Sequence, residues 1–232
     1  TLHDFIYLFH MPLFFIITGY LFKESYLNSP LYFFKRKIHG LYKPFVLSNL
    51  IVLGIYFLYD IFTSSYQNSV VYKISCLKII CFTGQLEILG SLWFLKTLFF
   101  SNVIIYILIY IANKNRWALW FPHVVALILL LLGYIIFVLK GQVIYDIQRE
   151  FITPILLSIG IIFKRVSYLL KPKYFILIMS FCIILLASFF FKIDIAGSQI
   201  SNPIVFLFIS IMGFYLIYGI STKLNKIKLL VF

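Results

Sequence analysis

The stretch Phe5-Ile6-Tyr7-Leu8-Phe9-His10-Met11-Pro12-Leu13-Phe14-Phe15-Ile16-Ile17-Thr18-Gly19-Tyr20-Leu21-Phe22 decides the fold class. A helix of about 20 mostly apolar residues crosses the ~30 Å hydrocarbon core of a bilayer, and this run approaches that length. Runs of the same kind recur at 43–62, 92–112, 117–139, 149–165, 173–191 and 203–222. None alternates in polarity as barrel strands do, so strands are not expected. The sequence therefore predicts an all-α fold, a polytopic transmembrane helix bundle with about seven complete spanning helices. The less apolar stretch 66–91 has room for a short interfacial or re-entrant helix. No internal repeat, low-complexity tract or cleavable signal peptide is visible.

Composition agrees. Of the 232 residues 63 % are apolar, 20 % aromatic and 12 % charged. Mean hydropathy is +1.04. Soluble domains average roughly 45–50 % apolar and about 25 % charged, so a water-soluble globule and a disordered chain are both excluded. The net charge of +13 does not indicate nucleic acid, because the 20 basic residues are spread between apolar runs and form no single patch. Cys76, Cys81 and Cys182 match no metal or redox spacing. They read as unpaired cysteines on apolar faces, with a Cys76–Cys81 loop pairing as the alternative.

The charges orient the bundle. Fourteen of the 20 basic residues fall on one side of an alternating path: Lys23, Lys35, Arg36, Lys37, Lys43, Lys114, Arg116, Lys164, Arg165, Lys171, Lys173, Lys223, Lys226 and Lys228. Six of the seven acids fall on the other side, Glu24 being the exception. The positive-inside rule puts the basic connections in the cytoplasm. Trp93, Trp117 and Trp120 fall at helix ends, where interfacial indoles belong. On this path Thr1 starts on the external face, and 227–232 reads as the start of a further apolar helix. The expectation is a chain lacking at least one helix at each end.

Several places can carry chemistry. His10, near the external end of its predicted helix, can serve as a general base or hydrogen-bond a sugar hydroxyl; the alternative is a bond to a neighbouring carbonyl. Pro12 is expected near the start of that helix, where it costs little. Lys35, Arg36, Lys37 and Lys43, four cations within nine residues, can hold a phosphorylated ligand such as coenzyme A, or simply meet anionic lipid. Trp93 can stack on a sugar ring or anchor the interface. Asp146-Ile147-Gln148-Arg149-Glu150-Phe151 opens a helix and reads as structural unless it lines a cavity. His3, Asp4 and Tyr7 share the external mouth, and His123 reads as structural. No serine elbow, P-loop or metal motif is present.

The order of these segments resembles the acyltransferase family 3 membrane proteins, especially the fucose 4-O-acetylase-like branch. The resemblance rests on Phe9-His10-Met11-Pro12-Leu13-Phe14-Phe15 with Gly19-Tyr20-Leu21, and on the basic stretch ending in Leu41-Tyr42-Lys43-Pro44. Trp93-Phe94-Leu95 and Gly160 before Lys164-Arg165 follow in the same order. It implies transfer of an acetyl group from cytoplasmic acetyl-CoA to a hydroxyl of a surface polysaccharide or its lipid-linked precursor. The setting implied is the bacterial cytoplasmic (inner) membrane. Acetyl-CoA is then a co-substrate, with no permanently bound cofactor and no metal. The implied partners are the lipid bilayer, a coenzyme A thioester and a carbohydrate acceptor.

On that resemblance Lys35, Arg36, Lys37 and Lys43 hold the coenzyme A phosphates, His10 assists on the acceptor side, and Trp93 and Tyr7 cover a sugar. The family's main histidine falls before Thr1, and Gly40 stands where many members carry a cation. The rival expectations are a polysaccharide repeat-unit flippase or polymerase and a non-catalytic remnant. The longest external connection, about 63–91, contains no arginine, which speaks against a polymerase.

Overall fold

The computed structural model describes residues 2–63, 69–140, 145–167, 172–191, 193–195, 199–200 and 202–224. Lys171, Lys192, Lys226, Lys228 and the segment 227–232 lie outside them, as do the side chains of His3, Asp4, Tyr7 and Asp146. The helices are α1 (Leu2–Tyr20), α2 (Pro30–Lys37), α3 (Lys43–Phe62), α4 (Ser69–Ile80) and α5 (Trp93–Lys114). They continue as α6 (Phe121–Lys140), α7 (Tyr145–Ile152), α8 (Pro154–Val166), α9 (Tyr174–Phe190) and α10 (Pro203–Leu224). Two compact units result: Thr1–Lys23 with Ser101–Phe232, and Glu24–Phe100.

The all-α expectation holds, but the count of seven complete spans does not follow from it. Among the described residues, three helical stretches are long and apolar enough to cross a bilayer: Pro30–Phe62, Glu87–Lys114 and Pro203–Leu224. Leu8–Tyr20, Phe121–Ile136 and Tyr174–Phe190 are shorter apolar helices. The predicted run 149–165 is interrupted at Thr153, because Pro154 has no N–H to continue the ladder and instead opens α8 at its first position. Stretch 66–91 does hold a short helix, α4. A two-residue antiparallel pair, Ile193–Asp194 with Gln199–Ile200, lies in the connection between α9 and α10, outside the apolar runs.

In the first unit α1 packs against α8, α9 and α10. Its contact with α8 is backbone to backbone. A Cβ placed on Gly19 would sit 2.0 Å from the Leu157 carbonyl oxygen, and one on Gly160 would sit 2.0 Å from the Ile16 oxygen. Small residues permit this approach, which drives helix association where lipid supplies no hydrophobic force. Phe15, Ile16, Leu156 and Leu157 are buried around the crossing. Tyr20, Phe163, Phe214 and Tyr218 form an aromatic cluster on the same three helices, α1, α8 and α10. Lys164 Nζ donates to the Phe22 carbonyl, 2.6 Å away, just past the end of α1.

In the second unit α2 and α3 form one continuous helical path through a π-helical turn, Ile38–Tyr42. Pro44 explains the turn. Its ring would crowd the carbonyl four residues back, and the wider π spacing relieves that conflict without ending the helix. After α4 the chain turns at Phe82, whose φ of 60° lies in the left-handed region. That conformation costs of order 1–3 kcal/mol for a non-glycine residue. The ring packs against Tyr42, Phe45, Phe99 and Phe100 at centroid distances of 4.5–5.5 Å. Each such aromatic pair adds about 0.5–1.5 kcal/mol beyond its area, so packing outweighs strain. Asn49, fully buried, donates to the Phe45 carbonyl and accepts from the Leu86 N–H, both at 2.9 Å, tying the loop after α4 onto α3.

Two expected outcomes follow from this packing. Gly19→Ala and Gly160→Ala each lower stability by about 3 kcal/mol or more, the upper end of overpacking costs, read as a fall in thermal midpoint in detergent. Gly54→Ala, with nothing within 4 Å of the new Cβ, leaves the midpoint unchanged or raises it. Asn49→Leu strands the Leu86 N–H and costs about 1–3 kcal/mol in the same measurement.

Candidate functional site

The four predicted cations lie on the α2–π–α3 path, and their surroundings set them apart. Lys35 and Arg36, in the last turn of α2, are exposed. Lys37 is half-buried, with its ammonium 5.7 Å from the centroid of the buried Phe33 ring. Lys43 is exposed, and its Nζ donates to His39 Nε2 at 3.1 Å. The His39 Nδ1–H in turn donates to the Lys35 carbonyl at 2.8 Å. An ammonium can only donate, so this pair of bonds fixes the imidazole as the Nδ1–H tautomer. The turn thus offers Lys35 and Arg36 to an anion directly, while His39 holds Lys43 in place.

His10 belongs to the other unit. The structure places it well inside α1, because the helix begins at Leu2 rather than at Phe5. Pro12 accordingly sits mid-helix, not in the first turn as expected, and leaves the Leu8 carbonyl without its ladder donor. His10 is partly buried and its Nδ1 donates to the Ile6 carbonyl at 3.1 Å, one turn back. Trp93, in the unit of the cations, begins α5 and is buried, its indole edge-on to Phe94 with centroids 6.1 Å apart.

The structure also brings in three hydroxyl residues that the sequence reading passed over, Ser101, Thr153 and Ser158. Ser101 and Thr153 share a buried hydroxyl–hydroxyl bond of 2.6 Å, and Thr153 donates to the Arg149 carbonyl at 2.8 Å. Gln148 and Arg149, in the segment read as structural, are themselves buried. His123 Nδ1 lies 2.5 Å from the Oγ of Ser158, a serine with no exposed surface. The available signal was the rarity of polar residues inside apolar runs, which marks candidates for function in a membrane protein. Among the described residues no group of three or more His, Cys, Asp or Glu is placed to hold a metal. Cys76, Cys81 and Cys182 are free thiols.

The tautomer gives a direct check. In ¹⁵N-histidine-labelled protein in alkaline buffer, His39 is expected as the Nδ1–H form. Lys43→Met removes the Nε2 donor and shifts the population toward Nε2–H, read from the imidazole nitrogen shifts. An unchanged tautomer in that variant removes the Lys43–His39 link.

A family model described as an acyltransferase domain matches the chain over residues 1–232. No curated protein and no solved structure matches it.

Proposed function

The chain belongs to acyltransferase family 3, and from that premise we propose that it moves an acetyl group from acetyl-CoA to a hydroxyl of a surface polysaccharide or its lipid-linked precursor. The observation that carries this reading is the family match along the whole chain. The exposed Lys35–Arg36 pair supports the donor half. Coenzyme A is polyanionic, and a guanidinium can bind phosphate through two parallel hydrogen bonds. Lys37, braced on Phe33, and Lys43, held by His39, extend the positive field along the same helical path. Apolar helices and the membrane family place the protein in a membrane. The bacterial inner membrane, with the cationic turn facing the cytoplasm, is the setting that the charge distribution favours.

In the acceptor half, His10 is the candidate base or sugar-hydroxyl partner. Its bond to the Ile6 carbonyl makes Nδ1 the donor, the tautomer in which Nε2 carries the lone pair. Trp93, the candidate for stacking on a sugar, is buried at the start of α5, which argues against open stacking on an exposed ring. The branch resembling fucose 4-O-acetylases accounts for the sugar acceptor in this reading. The chemistry needs no metal and no resident cofactor: the acyl group passes from the thioester sulfur to a hydroxyl oxygen, and coenzyme A leaves as the free thiol.

Native membrane vesicles carrying the intact gene product test the reading with radiolabelled acetyl-CoA. Label is expected in envelope carbohydrate. Arg36→Ala should raise the acetyl-CoA KM about tenfold, the effect of removing roughly 1.4 kcal/mol of charge-assisted binding. His10→Ala should lower kcat about tenfold, the loss of one hydrogen bond to the acceptor hydroxyl. Normal kinetics in both variants would remove these role assignments, and absence of any acetyl transfer would remove the function.

A further inference from the structure

Serine and threonine hydroxyls in this chain's helices ordinarily bond back to their own helix. Thr18 donates to Phe14, Ser180 to Ile176, Ser210 to Phe206 and Ser188 to Leu185, all carbonyls three or four residues earlier. Such back-bonding is the usual resting place of a helical hydroxyl in an apolar setting. Ser158, like Ser101, bonds outside its own helix. It lies one turn into α8, is fully buried, and is bonded across to an imidazole on another helix, His123 of α6. The 2.5 Å separation brings a hydroxyl nucleophile and a base within proton-transfer reach. His123 is only half-buried, so it is the member of the pair that meets the surroundings.

One further feature suits this pair to acyl chemistry. Water is scarce at a residue with no exposed surface, so an ester formed there is protected from hydrolysis.

We propose that Ser158 and His123 form a nucleophile–base pair that carries the acyl group covalently between donor and acceptor, a step that rests on the acyltransferase reading. Ser158 Oγ attacks the thioester carbonyl while its proton passes to His123 Nδ1. The carbon–sulfur bond breaks, and the imidazolium returns that proton to the departing thiolate as free coenzyme A. The result is an acyl ester on Ser158. An acceptor hydroxyl then attacks the ester, His123 takes its proton, the bond from carbonyl carbon to Oγ breaks, and Oγ regains a proton.

The pair makes the first half of the reaction observable without any acceptor. Native membrane vesicles carrying the intact gene product are supplied with unlabelled acetyl-CoA and radiolabelled coenzyme A. The expected result is label exchange into acetyl-CoA, together with a Ser158-containing peptide heavier by one acetyl group after denaturing quench. Ser158→Ala should abolish exchange, and His123→Gln should slow it by about 10²–10⁴. Ser158→Cys should carry the acetyl group as a thioester that hydroxylamine removes. The wild-type peptide mass does not depend on whether any variant folds. Acetyl transfer to envelope carbohydrate with neither exchange nor an acetylated Ser158 peptide would overturn the pair and leave the acyltransferase reading standing. Continued transfer in Ser158→Ala would do the same. No transfer and no exchange in the wild type would overturn both.

Discussion

The meeting of α1 and α8 through Gly19 and Gly160 is the constraint on which the first unit depends. Each glycine lies against the other helix's carbonyl backbone, with no room for a side chain at either position. In water, burial of side chains would hold such a pair together. In lipid the tails are as apolar as leucine, and contact area between atoms must do that work instead. Close approach maximises it, and it also brings the weakly polarised Cα–H groups against carbonyl oxygens. Phe15, Ile16, Leu156 and Leu157 fill the flanks, while α10 closes against α1 at Gly213, where Phe9 occupies the space a side chain would need. Because Ser158 sits between Leu157 and Gly160, this crossing also fixes the height at which its hydroxyl meets His123.

The second unit solves a different problem. A helix carrying three successive cations must continue into an apolar span beyond a proline. The π turn keeps the path continuous where Pro44 would otherwise break it, and His39 uses both ring nitrogens within the turn. Below it, Phe82 accepts an unfavourable backbone angle because four aromatic neighbours receive its ring. Asn49 then satisfies two backbone groups of the loop region that apolar residues alone would leave unmet. Asn49 is thus a joint between α3 and the loop after α4, with apolar side chains packed around it.

Much of the fold was legible because hydropathy is the dominant energy in lipid. Runs 43–62, 92–112, 173–191 and 203–222 each correspond to a helix, with ends shifted by a few residues. What hydropathy missed was backbone chemistry. Run 149–165 is apolar enough for one helix, but Pro154 divides it, and residues 2–4 extend α1 past the apolar run and move Pro12 to its middle. For the site, the cations of 35–43 were legible as a cluster, but their inequality was not. Only coordinates reveal that Phe33 braces Lys37 and that His39 holds Lys43. His123 and Ser158 are 35 residues apart, and no local pattern links them.

The π turn has a consequence for how this segment tolerates insertions and deletions. A π turn is an α turn with one residue added, and each helical residue advances the screw by about 100°. Removing one residue within Ile38–Tyr42 would restore the ordinary pitch but rotate Lys35, Arg36 and Lys37 by about that angle relative to everything beyond Pro44. Their charge and number would be untouched, yet they would face a different sector. The segment therefore constrains length as tightly as composition, and sequences of equal charge but different spacing are not interchangeable here.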